Sequence, residues 1–214
     1  MSEDELKYYN FVRQDLLEIV PEIYGTVLDV GCGSGATMRH LLEKGVDEVT
    51  GVEFSAVACE QAWGNNLNVI KADIQKDELP FQEKTFDFIL FADVLEHLYD
   101  PWKTLRDFTK FLKDDGTVLL SIPNVKHYRV LRKLLFNDEW TYVSAGVLDF
   151  THVRFFTRKE ALRLVTSSGL DVIRLDYRRN RNKIFSVLYW LLGEKVMTVW
   201  PEQFLFSARK SAGS

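Results

Sequence analysis

A glycine-rich segment near the amino terminus has the residue types of a small-ligand binding turn. The sequence Val27-Leu-Asp-Val-Gly-Cys-Gly-Ser-Gly35 reads as an apolar strand that runs into a turn at the start of a helix. Glycines let the backbone of such a turn approach a ligand closely. The spacing Gly31-x-Gly33-x-x-Ala36 also fits a dinucleotide site, in which a pyrophosphate lies at the helix N-terminus. The glycines alone therefore leave two kinds of ligand open.

Asp29 discriminates between these ligands. Its carboxylate lies two residues before the first glycine, where it would repel a pyrophosphate. A carboxylate can instead accept hydrogen bonds from the ammonium group of an amino acid moiety. The turn is thus better suited to a ligand that is cationic at this point, although Asp29 could also serve only to cap the turn.

Two further carboxylates end predicted strands, which is where ligands bind in open α/β sheets. Glu53 ends the second strand and can accept both hydrogen bonds of a ribose diol, while Phe54 beside it offers a face to adenine. Asp73 ends the third strand and can accept from an exocyclic amine, and the backbone amide of Ile74 can donate to a ring nitrogen. Alternatively, both carboxylates are solvated strand ends.

A polar loop follows the predicted fourth strand. Its sequence, Phe91-Ala-Asp-Val-Leu-Glu-His-Leu98, places Ala92, Asp93 and Val94 directly after the strand. These residues would face the rest of the ligand. His97 either lines the same site or has a structural role, packing beside Asp93 or capping a turn.

The elements that must position these residues alternate between short apolar runs and amphipathic segments, as in a parallel sheet covered by helices. We predict strands at Thr26–Val30, Glu48–Glu53, Asn68–Lys71, Phe86–Phe91, Thr117–Ile122, Leu170–Tyr177 and Gln203–Lys210. Helices are predicted at Ser34–Lys44, from the Ser55 cap to Gly64, from Asp100-Pro101 onward, and from the Thr157 cap to Ser168. Asp115-Gly116 is predicted to turn the chain into the fifth strand.

The alternation lapses after Pro123. Residues 124–156 are rich in aromatic side chains and look like an insertion over the sheet edge. The aromatic residues, either core or partly the wall of an acceptor pocket, are Tyr128, Phe136, Trp140, Tyr142, Phe150, Phe155 and Phe156. Ile184–Trp200 is interpreted as a packed or interfacial helix pair. We expect one domain over residues 1–210 and a flexible tail at 211–214.

Several of these segments resemble class I methyltransferases: VLDVGCGSG, GVEFS, FADVLEHL and LKDDGTVLLSIPN, with coverage from about residue 8 to the end. The segments SIPNVKH at 121–127 and LDFTHVRFFT at 148–157 are similar to small bacterial methyltransferases associated with glycan and polysaccharide synthesis. The resemblance implies an α/β fold with a Rossmann-like doubly wound seven-stranded sheet, mostly parallel with an antiparallel last strand.

The resemblance also implies S-adenosylmethionine as cofactor and S-adenosylhomocysteine as product. The first helix, with Tyr8, Tyr9, Asn10 and Arg13, would act as a lid if Arg13 pairs with the cofactor carboxylate. Together with the residue interpretations above, the expected cofactor-binding residues are Asp29, Gly31, Cys32, Gly33, Gly35, Glu53, Phe54, Asp73, Ile74, Ala92, Asp93, Val94, His97 and Arg13.

A small molecule is the expected acceptor, with O-methylation of a sugar, glycan precursor or other metabolite as the expected reaction. A hydroxyl acceptor calls for a general base; His152, in the insertion, is the first candidate and His127 the second, although either can be a structural histidine. The sequence Ala92-Asp-Val-Leu95 stands where amino-methylating enzymes of nucleic acid bases carry Asn-Pro-Pro-Tyr. One alternative is a catalytically silent cofactor-binding scaffold or regulator. The other is a nicotinamide-dependent oxidoreductase, which would share the glycine turn and Glu53 but has no use for Asp29 or Asp73.

Composition limits the fold, the binding partners and the cellular compartment that the sequence predicts. The chain has 214 residues, a formal net charge of −4 and 46% hydrophobic residues, so it can bury one core and has no general attraction for nucleic acid. Its two cysteines lack metal-ligand spacing, so we expect no metal site. The acidic amino terminus lacks the features of a signal peptide. We expect a cytoplasmic protein without a membrane span that can form a homodimer.

Overall fold

The structure is a computed structural model and describes residues 11–178, 190–191 and 193–211. The strands are β1 (Thr26–Val30), β2 (Glu48–Glu53), β3 (Asn68–Lys71), β4 (Phe86–Ala92), β5 (Leu112–Pro123), β6 (Leu170–Arg178) and β7 (Gln203–Lys210). The α-helices are α1 (Gln14–Leu17), α2 (Ala36–Glu43), α3 (Ala56–Gly64), α4 (Pro101–Thr109), α5 (Tyr128–Asn137) and α6 (Arg158–Ser167). Two 3-10 helices lie at Leu95–His97 and Gly193–Thr198.

The seven strands form one sheet in the order β3-β2-β1-β4-β5-β7-β6. Strands β1 to β5 pair in parallel, whereas β7 lies between β5 and β6 and is antiparallel to both. This confirms the expected Rossmann-like sheet with an antiparallel last strand. The strand order reverses between β1 and β4, and in such sheets the ligand crevice opens at that switch point. The turns after β1 and β4 are therefore neighbours.

The central strands are buried on both faces. Along β1, Leu28 packs into the core cluster on one side of the sheet and Val27 into the cluster on the other. Along β4, Ile89 and Leu90 alternate in the same way. Burial on both faces accounts for the continuous apolar runs of these strands, and it holds their carboxyl ends rigidly beside each other.

The predicted helix caps are present. The Ser55 side chain accepts from the Ala58 amide at 3.4 Å, and the Asp100 side chain accepts from the Lys103 amide at 2.9 Å. The Thr157 side chain accepts from the Glu160 amide at 3.4 Å. Helix α2 begins at Ala36, two residues later than predicted, because Gly35 has a left-handed conformation with φ of 81°.

The predicted turn at Asp115-Gly116 is wrong. Strand β5 already begins at Leu112, and its pairing with β4 shifts between the pairs Phe86–Leu112 and Phe88–Thr117. The extra residues are absorbed as an irregularity within the strand. A Cβ atom on Gly116 would lie 2.8 Å from Leu112 Cδ1. The lack of a side chain at Gly116 therefore lets the Leu112 side chain pack against the backbone of Gly116.

Residues 124–156 leave the sheet and return to the same point. Asn124 and Phe156 form an isolated parallel bridge, and the Val125 amide donates to the Phe156 carbonyl at 3.0 Å. Between them the chain forms α5 and then irregular structure. The amides of Val153 and Arg154 donate to the Glu96 carbonyl, both at 3.0 Å. The segment therefore packs onto the loop after β4.

Two other predictions fall partly outside the described residues. Of the predicted helix pair at Ile184–Trp200, the structure describes the 3-10 helix Gly193–Thr198, and residues 184–189 and 192 lie outside. Tyr8, Tyr9 and Asn10 of the predicted lid also lie outside the described residues. Among the helices that are described, none is long and apolar enough to cross a membrane.

Candidate functional site

The glycine-rich turn lies where the ends of β1, β2 and β4 meet. Gly31, Gly33 and Gly35 all have positive φ, at 70°, 56° and 81°. The Gly31 amide donates to the Val52 carbonyl at 2.7 Å. A Cβ atom on Gly31 would lie 2.6 Å from Val94 Cγ2. The turn therefore requires glycine for its conformation and also for its contact with the loop after β4.

Two carboxyl groups lie beneath this turn. Asp29 is 3% exposed, and its burial together with the nearby Glu53 raises the pKa of Asp29 to about 7. Glu53 is 8% exposed and is held by the backbone: one oxygen accepts from the Gly33 amide at 2.9 Å and the other from the Ser55 amide at 2.7 Å. The pair gives the buried end of the crevice a negative character, which suits a cationic ligand group.

Cys32 contributes to this turn through its backbone. Its amide donates to the Val52 carbonyl at 3.3 Å, and its side chain packs into the core beneath the turn. A Cβ atom on Gly51 would lie 2.5 Å from Cys32 Sγ, so the thiol fills the space above a strand glycine. Burial raises the pKa of the Cys32 thiol, and the group is consequently not a reactive thiolate.

The rim near β3 carries the residues expected to contact adenine. Phe54 follows Glu53 and is 71% exposed, so its ring is available for stacking. Asp73 accepts from the Gln75 amide at 3.1 Å and from Lys76 Nζ at 2.7 Å. The Lys76 contact lowers the pKa of Asp73. Ile74 packs against the core with part of its side chain.

Asp93 is the centre of a polar network at the end of β4. It has a φ of 58°, a conformation rare outside functional sites and turns. One oxygen accepts from Ser121 Oγ and from Gln203 Nε2, both at 2.7 Å, and the other pairs with the guanidinium of Arg13. Ala92 and Val94 flank it, with Val94 9% exposed. The network connects β4, β5 and β7 at the crevice.

Arg13, directly before α1, is 5% exposed. Its Nε and Nη2 contact Asp15 at 3.0 and 3.2 Å. Its Nη1 contacts Asp93 and, at 3.0 Å, Ser121, and Nη2 also contacts Gln203 at 3.2 Å. These contacts use all five N–H donors of a guanidinium. Its pairing with a cofactor carboxylate stays a prediction, and it requires the exchange of one of these bonds.

The structure brings His97 and His152 together although 54 residues lie between them in the chain. Their ring centroids are 4.7 Å apart in an edge-to-face arrangement. His97 Nδ1 lies 2.9 Å from Thr151 Oγ1, and His152 Nδ1 lies 3.1 Å from the Val147 carbonyl oxygen. Burial and the neighbouring His152 lower the pKa of His97.

Glu96 completes this cluster, and sequence reasoning missed it. Its residue exposure is 0%, and His152 Nε2 lies 3.9 Å from its Oε1. Within the described part of the chain, neither carboxyl oxygen of Glu96 has a hydrogen-bond partner. Burial and, secondarily, Asp93 raise the pKa of Glu96 well above its ordinary value. The local sequence offers only an acidic residue directly before His97, and this does not show that its side chain is buried.

His127 lies apart from this cluster. It precedes α5, is 5% exposed, and its ring packs against Tyr128 with centroids 4.6 Å apart. Tyr128 in turn stacks on Trp200 at 4.8 Å. Burial lowers the pKa of His127, so the neutral ring is favoured.

Comparison with known proteins gives a consistent family. A family model described as a methyltransferase domain matches residues 7–175. A curated relative, the ubiquinone biosynthesis O-methyltransferase of Neisseria meningitidis, is 28% identical over 172 residues, which are 76% of this chain and 71% of that protein.

Two solved structures share the fold. One is the Haloferax volcanii protein in complex with the Trm112 methyltransferase activator, with a TM-score of 0.68, 18% identity and coverage of 99% of this chain and 93% of that one. The other is an S-adenosylmethionine-dependent methyltransferase from Mesorhizobium loti, with a TM-score of 0.65, 19% identity and coverage of 92% and 96%.

Proposed function

The chain belongs to the methyltransferase domain family, and from this premise we propose that it transfers the methyl group of S-adenosylmethionine to an oxygen of a small molecule. The observation that carries the cofactor assignment is the pair Asp29 and Glu53 around a turn of positive-φ glycines. A buried carboxyl pair suits an ammonium group and a ribose diol, and it opposes a pyrophosphate.

The residues fit the cofactor one part at a time. We assign Asp29 to the ammonium group, Glu53 to the ribose hydroxyls, and Phe54 and Asp73 to adenine. We assign Asp93, which is fixed by Ser121 and Gln203, to the side of the amino acid moiety. S-adenosylmethionine supplies a methyl group on a sulfonium, which is a good leaving group, so the protein mainly has to align the acceptor with it in a water-poor crevice.

Oxygen is the acceptor atom we favour. The loop Ala92–Leu95 has no Asn-Pro-Pro-Tyr sequence to hold a planar nitrogen, and the curated relative described above is an O-methyltransferase by name. An aliphatic or sugar hydroxyl must lose its proton as the oxygen takes the methyl group, so a nearby proton acceptor is needed. His152 is our first candidate because its ring lies beside His97 on the loop after β4. His127 is the second.

The acceptor is proposed to be a sugar, a glycan precursor or another small metabolite. Near His152 an aromatic group from the 124–156 segment is available to contact it. Trp140 lies edge-on to Phe155 with centroids 5.5 Å apart, and His152 lies 6.4 Å from the same ring. Trp140 and Tyr142 are 37% and 50% exposed. Such faces pack against the apolar face of a sugar or against another ring.

The first experiment is a calorimetric titration with S-adenosylhomocysteine, followed by methyl transfer from isotopically labelled S-adenosylmethionine to a panel of sugars, glycan intermediates and phenols. Glu53→Gln is expected to raise the Kd for S-adenosylhomocysteine at least tenfold. Glu48→Gln, at the exposed start of the same strand, is the matched control and should bind like the unmodified chain.

Each result has a distinct meaning. Labelled ether products with sugars support the proposal as stated, whereas products only with phenols move the acceptor to aromatic metabolites. Labelled nitrogen products would overturn the O-methylation. Tight binding without transfer to any acceptor favours the scaffold alternative, and no binding of S-adenosylhomocysteine would overturn the cofactor assignment.

A further inference from the structure

The burial of the Glu96 carboxyl group costs free energy that no hydrogen bond offsets within the described residues. A carboxyl group removed from water without hydrogen bonds is energetically unfavourable. Both of its oxygens are buried, and within the described residues neither has a partner. A side chain on a loop could turn toward solvent, yet Glu96 is 0% exposed. The described residues therefore hold this carboxyl group in a buried position without offsetting the loss of its contacts with water.

Each of the two neighbouring histidines is oriented by a hydrogen bond at its Nδ1. The Val147 carbonyl can only accept, so the 3.1 Å contact makes His152 Nδ1 the protonated nitrogen. His152 Nε2 then carries a lone pair, and this atom lies 3.9 Å from Glu96 Oε1. A backbone carbonyl that fixes the tautomer of a histidine is the usual arrangement behind a metal-bound imidazole.

His97 is oriented in the same manner. Its Nδ1 lies 3.3 Å from the Thr151 carbonyl oxygen and 2.9 Å from Thr151 Oγ1. The Thr151 hydroxyl gives its own proton to Asp149 Oδ1 at 2.6 Å, so it can only accept from His97. A carboxylate, a hydroxyl and a carbonyl thus fix the second imidazole as an Nδ1–H tautomer, with its other nitrogen unprotonated.

We propose that Glu96, His97 and His152 bind a divalent transition-metal ion such as Zn²⁺ or Mn²⁺. One ligand atom from each of the three residues lies within 4.8 Å of the others. Tetrahedral metal–ligand bonds of about 2.0–2.2 Å hold the ligand atoms about 3.3–3.6 Å apart, so binding requires the side chains to close by up to about 1.5 Å. Two imidazoles favour a transition metal over Mg²⁺ or Ca²⁺, which prefer oxygen ligands.

Three protein ligands leave at least one coordination position open, as in catalytic metal sites. In the proposed methyltransferase this position suits the acceptor oxygen, because a bound cation lowers the pKa of a hydroxyl. The ion would then take the place of His152 as the group that promotes loss of the hydroxyl proton: the proton would pass to solvent water, the oxygen would take the methyl group, and the sulfonium would leave as the neutral thioether. This role rests on the proposed function, but the binding of the ion does not.

The test is a calorimetric titration of the chelator-treated full chain with ZnCl₂, MnCl₂ and MgCl₂. We expect one Zn²⁺ or Mn²⁺ per chain and at least tenfold weaker binding of Mg²⁺. Glu96→Gln and His97→Gln should each weaken binding of the transition metal at least tenfold. His40→Gln, which changes a histidine on α2 far along the chain from the cluster, should leave metal binding unchanged.

A circular dichroism melt checks that each variant folds, and S-adenosylhomocysteine binding is measured on the unmodified chain. If Glu96→Gln does not fold, the metal affinity of the unmodified chain is compared with that of His97→Gln alone. This variant is expected to fold because the His97 side chain is only partly buried. Equal metal affinity in the variants and the unmodified chain, less than half an ion per chain, or equal affinity for Mg²⁺ would overturn the proposal. Metal binding without S-adenosylhomocysteine binding would overturn the proposed function alone.

Discussion

The side chain of Val94 fills the space that a Cβ atom on Gly31 would occupy, with Cγ2 only 2.6 Å from that position. The turn after β1 and the loop after β4 thus touch through a glycine on one side and a branched side chain on the other. Asp29 lies on β1 two residues before Gly31, and Asp93 directly precedes Val94, so this contact sets the spacing across the crevice.

Gly31→Ala should therefore destabilise the protein by about 2–4 kcal/mol, because it combines strain at a φ of 70° with overlap on Val94. Denaturant unfolding measures the loss. Gly45→Ala is the matched control, since Gly45 has a φ of 90° but open space around it and should lose only about 1 kcal/mol from strain. Equal losses in the two variants would show that the contact with Val94 is irrelevant.

The raised pKa of Asp29 predicts a specific pH dependence of stability. A carboxyl whose pKa is about 7 in the folded chain and about 4 in the unfolded chain costs stability as it ionises. The cost is absent at low pH, grows as the pH rises from about 4 to 7, and is constant above that. Asp29→Asn removes the cost, so its stability relative to the unmodified chain should increase by about 2–3 kcal/mol between pH 5 and pH 8. A stability difference that stays constant across this range would contradict the prediction.

The same group predicts proton release on cofactor binding. At pH 7 Asp29 is about half protonated in the unliganded chain, and an ammonium group placed beside it favours the ionised form. Binding of S-adenosylhomocysteine should thus release about half a proton. Calorimetry at pH 7 in two buffers of different ionisation enthalpy measures this number. In Asp29→Asn the release should disappear, and its persistence there would assign the proton to another group.

The pair of Arg13 and Asp93 predicts a non-additive double mutant. Arg13→Gln leaves a partly buried carboxylate without its cation and should cost about 2–3 kcal/mol, less than for a fully buried pair because the Asp93 side chain is 28% exposed. Asp93→Asn alone removes one of the two carboxylates that contact the buried guanidinium and leaves it paired with Asp15. The double variant should lose less free energy of unfolding than the two single variants lose together, by at least about 1 kcal/mol. Additive losses would indicate that the ion pair contributes nothing.

Local sequence patterns were sufficient for most of the fold. The β-branched and apolar runs marked all seven strands, and the caps Ser55, Asp100 and Thr157 marked three helix starts. The turn predicted at Asp115-Gly116 was wrong because a glycine that makes room for Leu112 has the same local signature as a glycine that turns the chain.

The proximity of Asp29 and Glu53 was predictable from the sequence. Asp29 and Glu53 lie at strand ends, and strand ends converge in any parallel sheet. Glu96 was missed because its burial depends on residues far away in the chain: the amides of Val153 and Arg154 bind its carbonyl and bring His152 against it. No pattern within residues 91–98 carries that information.

The bridge between Asn124 and Phe156 has a consequence for the diversification of this scaffold. A segment whose two ends meet at one point of a sheet can be lengthened, shortened or replaced without displacing the strands on either side. The strands and the interior of the 124–156 segment can accordingly change at independent rates, whereas Val153 and Arg154 are tied to Glu96. A chimera that carries the interior of this segment from a relative tests whether the segment sets the choice of the proposed acceptor.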